Sequence, residues 1–309
     1  MPIRANYPEE FIPLMLECYF TILSWPFNFF EIELLSRHQE SKRGADAVLR
    51  NARWFKPFYM QFKVPLLYSP IGNSNLRQDR KNLSLQISPN FLAFWLREKR
   101  PSQQDYQHNV LYRLRQQLFR TRTGDAAYVC PLFIDKGDYR STMRRAAFQC
   151  WPLCMYRYFR RKEKFRSVDL YEARQRNTIG PFIVQDPLLI RHVVIPPHAP
   201  VQHAKHAYSF TPSGLEICFH SPKALPEHGQ LLTEWLEKIS VGIFEPSEEY
   251  GFIPADLRKM ERVLRTLVEV LPEGPIEFEV RRGSWEEWLA WGAFLERKYK
   301  IYQFAFIVT

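Results

Sequence analysis

The chain has 309 residues, 46% of them hydrophobic and 15% aromatic, with a formal net charge of +10 at pH 7 and an isoelectric point near 9.4. Such length and apolar content exclude both a disordered chain and a mini-protein that needs covalent staples. The charge is uneven: residues 1–200 carry 31 Lys and Arg against 17 Asp and Glu, while residues 201–309 carry 12 against 16. A polyanionic partner, nucleic acid foremost, is therefore expected on the N-terminal two thirds.

Five cysteines (Cys18, Cys130, Cys150, Cys154, Cys218) form an odd set in apolar surroundings. They read as buried free thiols of a reducing compartment, and the cytoplasm is the expected location. The N-terminus lacks the features of a signal peptide, and the apolar run from Phe11 to Phe30 is interrupted by Pro13, Glu17, Pro26 and Asn28, so neither export nor a membrane span is expected.

Taken in order, Pro8 to Leu23 is expected to be a helix, with Phe11, Met15, Cys18 and Ile22 as its apolar stripe and Glu10 and Glu17 on an adjoining face. Phe29 to His38 reads as a strand. Gly44 to Pro65 then reads as a hairpin turning at Arg53 to Phe55. On its second strand Tyr59, Gln61 and Lys63 share one face, while Phe58, Met60, Phe62 and Val64 share the other. Antiparallel pairing would set Asp46 opposite Gln61 and Lys63, so that a carboxylate, an amide and an ammonium meet.

Residues 69–82 read as a polar loop and residues 83–97 as a further hairpin. Ser102 to Phe119 has helical spacing, with Val110, Leu111, Leu114 and Leu118 inward and Arg113, Arg115 and Gln116 outward. Tyr128 to Ile134 reads as a strand buried on both faces, and Gly137 to Trp151 as a basic helix with Arg140, Arg144 and Arg145. Between Tyr156 and Arg166, six basic residues alternate with aromatic ones, a composition suited to gripping phosphates and stacking on bases.

Two segments, Ala204 to Phe210 and Leu215 to Ser221, read as a hairpin that puts His206 on its apolar face and Cys218 and His220 on the other. Those side chains then diverge, which disfavours zinc. Residues 226–309 are acidic on balance and are read as an accessory region of three helices and two strands. Trp285, Trp288 and Trp291 are expected in its core.

The sequence of a helix bearing a glutamate, a strand, Gly44-Ala45-Asp46 and then Gln61-Phe62-Lys63 resembles the PD-(D/E)XK restriction-endonuclease-like superfamily, in its Mrr-type Gln-x-Lys variant. The stretches HQESKRGAD, MQFK, QHNVL and AAYVCPLF also resemble uncharacterised prokaryotic proteins of this type. The resemblance covers roughly residues 8–135. It implies an α/β (α+β) fold with a restriction-endonuclease-like mixed sheet flanked by helices. Residues 1–225 would form the nuclease-like domain with insertions, and residues 226–309 a helix-rich accessory region open to a protein partner or a second copy.

The implied activity is metal-dependent hydrolysis of phosphodiester bonds, in DNA, in prokaryotic defence or repair. Asp46, Gln61 and the Phe62 carbonyl would hold Mg2+ or Mn2+. Lys63 would steady the transition state, and Glu17 or Glu40 would be an outer carboxylate. Arg43, Arg144, Arg145, Arg157, Arg160, Arg161, Lys162 and Lys164 would contact nucleic acid. Because Gln61 stands where a carboxylate is usual, the alternative is a catalytically inactive fold of this type that binds nucleic acid or a protein.

Overall fold

A computed structural model describes residues 2–24, 31–34, 54–69, 74–87, 90–147, 186–203, 205–220, 225–240, 257–275 and 285–308. These residues form a mixed α/β structure in which the described strands make two six-stranded sheets. The first sheet is antiparallel throughout and orders β1 (Ile3–Arg4), β4 (Leu66–Tyr68), β5 (Phe91–Trp95), β8 (Ala207–Phe210), β9 (Glu216–His220) and β10 (Leu225–His228). The second is mixed and orders β11 (Gln230–Leu231), β7 (His192–Ile195), β6 (Asp125–Pro131), β3 (Trp54–Phe62), β12 (Tyr302–Val308) and β2 (Glu31–Leu34).

Among the described strands of the second sheet only β3 and β6 run parallel, in register from Phe58 with Asp125 to Phe62 with Val129. A parallel neighbour requires a crossover, supplied by helix α3 (Gln107–Thr121). Val110, Leu111, Leu114 and Leu118 are fully buried, as their spacing demands. The helix stops at Arg122, which adopts φ 54° and so ends the turn in the left-handed conformation. Gly124 follows, where an added Cβ would lie 2.3 Å from the Pro57 carbonyl oxygen, so only glycine lets the chain enter β6 beside β3.

Both faces of the second sheet are covered. Phe58, Met60 and Phe62 pack with α1 (Phe11–Ser24), α4 (residues 136–147) and α5 (Leu232–Ser240), while Tyr59, Ala126, Tyr128 and Ile307 pack with α3, α6 (Leu257–Val270), α7 (Trp285–Tyr299) and the first sheet. The alternation expected along β3 is present, and neither face is open.

Several expectations need correction. Along β3, Phe58 to Met60 bond β6 on one edge and β12 on the other, so the hairpin drawn from Gly44 to Pro65 has no free edge there. The C-terminal strand occupies that place because Phe304 and Phe306 pack against Phe58, with ring centroids 5.5 and 5.4 Å away. Consequently residues 226–309 are not an accessory region. β12 sits inside the sheet between β3 and β2, and α6 and α7 complete the main core.

The polar stretch expected to be a loop contains a helix, α2 (Asn75–Asn82). It is capped by Ser74, whose side chain accepts from the Arg77 N–H at 3.2 Å. On α1 the buried positions are Phe11, Ile12, Pro13, Leu16, Tyr19 and Phe20, of which Phe11 alone belongs to the expected stripe, and Cys18 is exposed. Cys130 and Cys218 are buried free thiols, and Cys150 and Cys154 lie outside the described residues. Trp288 and Trp291 are core residues.

Candidate functional site

The parallel pair β3 and β6 points its carboxyl ends the same way, and in open α/β sheets ligands gather at such ends. Gln61 and Lys63 lie at this end of β3. The turn before α1 runs alongside, held by hydrogen bonds from Ala5 N to Pro65 O at 3.3 Å, Asn6 N to Ile134 O at 3.1 Å and Tyr7 Oη to Phe133 O at 2.6 Å. This turn carries Glu9, whose Oε2 accepts from Arg97 Nη2 at 2.7 Å.

Lys63 is buried, and its Nζ stands 5.6 Å from the Tyr128 ring centroid. Burial pushes its pKa down to about 8, with the Glu9 carboxylate pulling the other way and the Arg97 cation adding to the fall. Tyr128 Oη meets His108 Nδ1 at 2.9 Å, and His108 Nε2 meets the Ala199 carbonyl at 2.7 Å. Since a carbonyl only accepts, Nε2 carries the proton and Nδ1 accepts from the tyrosine. Burial holds His108 neutral, with a pKa lowered to about 4.

Gln61 is fully buried. Its Nε2 donates to Gln107 Oε1 at 2.8 Å and to the Tyr299 carbonyl at 3.3 Å, and the carbonyl fixes the amide orientation. The amide therefore ties β3 to the start of α3 and the end of α7. Its Oε1 is buried without a hydrogen-bond partner.

The expected site is thus only partly assembled from described residues. Gln61 and Lys63 share a face at one strand end, as expected; Asp46, Glu40 and Arg43 lie outside the described residues, as do Arg157, Arg160, Arg161, Lys162 and Lys164. Glu17 sits on α1, against the Phe58, Met60 and Phe62 face, so the sheet stands between it and Gln61. Phe62 is buried in that apolar face, and the neighbouring Lys63 N–H donates to Val129 O at 3.0 Å.

Glu9, Arg97, Gln107, His108 and Tyr128 complete the environment, and none of them stands out in the sequence as a site residue. Glu9 offers one signal, its position at the start of a helix. The others are brought in by segments far away in the chain.

Magnesium takes six oxygens near 2.0–2.1 Å, usually including one or two carboxylates. Around Lys63 the described side chains offer Gln61 Oε1, which is unpartnered as is Gln303 Oε1 on the adjoining strand, and the Glu9 carboxylate, already engaged by Arg97. Among the described residues no group of three or more His, Cys, Asp or Glu could hold a metal ion. By themselves, then, these residues do not fit magnesium or manganese.

Arg144 and Arg145 are exposed on α4. That helix starts beyond the carboxyl end of β6, where the Asp135 carboxylate caps it by accepting from Asp138 N at 2.9 Å. Lys136, Arg140 and Arg144 are spaced by four and form one stripe. Lys136 Nζ and the Arg140 guanidinium lie 5.0 and 5.6 Å from the Phe11 ring centroid, which anchors the stripe to α1.

A second polar constellation lies in the first sheet. Asp79 Oδ2 meets His220 Nδ1 at 2.8 Å, and His220 Nε2 meets Ser209 Oγ at 2.8 Å. The connectivity is that of a nucleophile, base and orienting carboxylate. Ser209 is fully buried, however, and Arg80 Nη1 donates to its Oγ at 3.0 Å while Arg80 Nε donates to Gln86 O at 2.9 Å. The network pins α2 onto β8 and β9. The hairpin parity that separates His206 from His220 holds, with Tyr208 opposite Phe219.

No protein-family model, curated protein or solved structure matches the chain. Among the described residues no helix is long and apolar enough to cross a membrane.

Proposed function

We propose that this protein binds nucleic acid without cutting it, through the basic stripe on α4. The observation that carries this reading is the row of half-buried Lys136 and exposed Arg140, Arg144 and Arg145 along one helix, in a chain of net charge +10. Cations in a row match the spacing of a phosphate backbone and release its counterions on binding. The fully buried Gln61, occupied with Gln107 and Tyr299, supports a structural rather than a metal-ligating role.

A second reading is a metal-dependent nuclease, with Asp46 supplying the carboxylate. It is favoured by the unpartnered Gln61 Oε1 and by a lysine held near neutrality one residue beyond the strand. Purified protein incubated with single- and double-stranded DNA and RNA, with magnesium or manganese, separates the two. Retention of substrate without products, unchanged by Asp46→Ala, supports binding alone. Products that disappear in both Asp46→Ala and Lys63→Ala replace it with the nuclease.

A further inference from the structure

At the far end of α3 from Gln61, an open groove of about 690 Å³ runs between α3 and α6. The helix has 15 residues, so at about 1.5 Å each the two ends stand roughly 20 Å apart. Arg113, Gln116, Gln117 and Arg120 line the groove at helical spacing, with Phe119 alongside. Phe119 is 71% exposed, the most exposed large hydrophobic side chain among the described residues.

The charges divide into engaged and free. Arg113 pairs with Asp105, and Arg115 Nε lies 3.3 Å from Asp125 Oδ1. Arg120 has no ion-pair or hydrogen-bond partner among the described residues, and Glu269 is the acidic member of the lining. Exposed guanidinium, amide and aromatic groups in one concave strip form a combination that a duplex cannot fully use, because its bases are stacked inside. A single strand offers both a phosphate to Arg120 and a bare base face to Phe119.

We infer that the α3–α6 groove is a binding site for single-stranded nucleic acid, in which Phe119 stacks on a base and Arg120 holds a neighbouring phosphate. This rests on the nucleic-acid reading above and adds to it a second contact and a preference for unpaired strands.

The test measures binding of the full chain to a labelled oligothymidylate of about 20 nucleotides and to a duplex of the same length, by fluorescence anisotropy. Phe119→Ala is expected to weaken single-strand binding about tenfold or more and to leave duplex binding unchanged, because stacking requires an exposed base. Phe119→Trp should retain affinity, with its indole fluorescence quenched on binding. Arg120→Glu should weaken binding and flatten its salt dependence. Circular dichroism shows that each variant is folded.

Unchanged single-strand affinity in Phe119→Ala and Arg120→Glu would overturn the groove, and if Arg144→Glu/Arg145→Glu then abolishes binding, the α4 reading survives. Absence of any binding by the wild-type chain would overturn both.

Discussion

Gln61 Nε2 donates to Gln107 Oε1 at 2.8 Å across 46 residues of sequence, with both side chains buried. This bond joins the strand that leads into Lys63 to the helix that carries His108. Truncating one partner deprives the other's amide of a hydrogen bond in a dry site, a loss of roughly 1–3 kcal/mol. Gln61→Leu and Gln107→Leu should each destabilise by about that much, and the double variant by clearly less than their sum. Urea unfolding of all four proteins measures this coupling. Additive losses would show that the pair does not act as a unit.

Lys63 is a buried cation whose pKa is lowered to about 8, mainly by loss of water. Between about pH 8 and 10.5 the unfolded chain keeps a proton that the folded chain gives up, so stability should rise with pH across this window. Below pH 8 the charged lysine costs at most about 3 kcal/mol. Lys63→Met should therefore raise the melting temperature at pH 7 and remove the alkaline rise. A variant that melts lower at pH 7 would mean that the ammonium stabilises the fold.

On the acid side, His108 and His192 are buried with pKa values lowered to about 4. Their unfolded values are higher, so from about pH 6.5 down to 4 the unfolded chain takes up protons that the folded chain refuses. Stability should fall across that interval, by at most about 3 kcal/mol for each histidine. His108→Gln should lessen the slope. An unchanged slope in that variant would assign the acid sensitivity elsewhere.

The network of Arg80, Ser209, His220 and Asp79 should behave as a clamp. Arg80→Ala should destabilise by roughly 3 kcal/mol and speed hydrogen exchange in residues 75–87, because the guanidinium serves Ser209, Gln86 and Glu216 together. A fluorophosphonate should leave Ser209 unlabelled in the native protein. Labelling there, lost in His220→Ala, would instead make the trio a working nucleophile.

Much of this architecture is legible in local pattern. The inward set Val110, Leu111, Leu114 and Leu118 and the two-faced alternation of Phe58 to Lys63 follow from periodicity, because one element's own spacing decides them. Which strands become neighbours is not legible in that way. Apolar residues on Tyr302 to Val308 suit an edge or a centre equally, and only packing against Phe58 selects the centre. Nor is the docking of α3 and α7 over the Gln61 and Lys63 face legible locally, and it turns an expected open face into a closed one. Glu9 is hidden for a related reason: a carboxylate at a helix start has a sufficient local explanation, and its approach to Arg97 depends on a contact 88 residues away.

The most direct measurement is the affinity of the full chain for labelled DNA as a function of salt, for the wild type and for Arg140→Glu/Arg144→Glu/Arg145→Glu. If the α4 stripe binds phosphates, wild-type affinity falls steeply as salt rises. The triple variant then binds more weakly, and its salt slope is smaller by about one for each phosphate that no longer meets an arginine. Equal affinities and equal slopes in the two proteins, or no binding at low salt, would contradict the account.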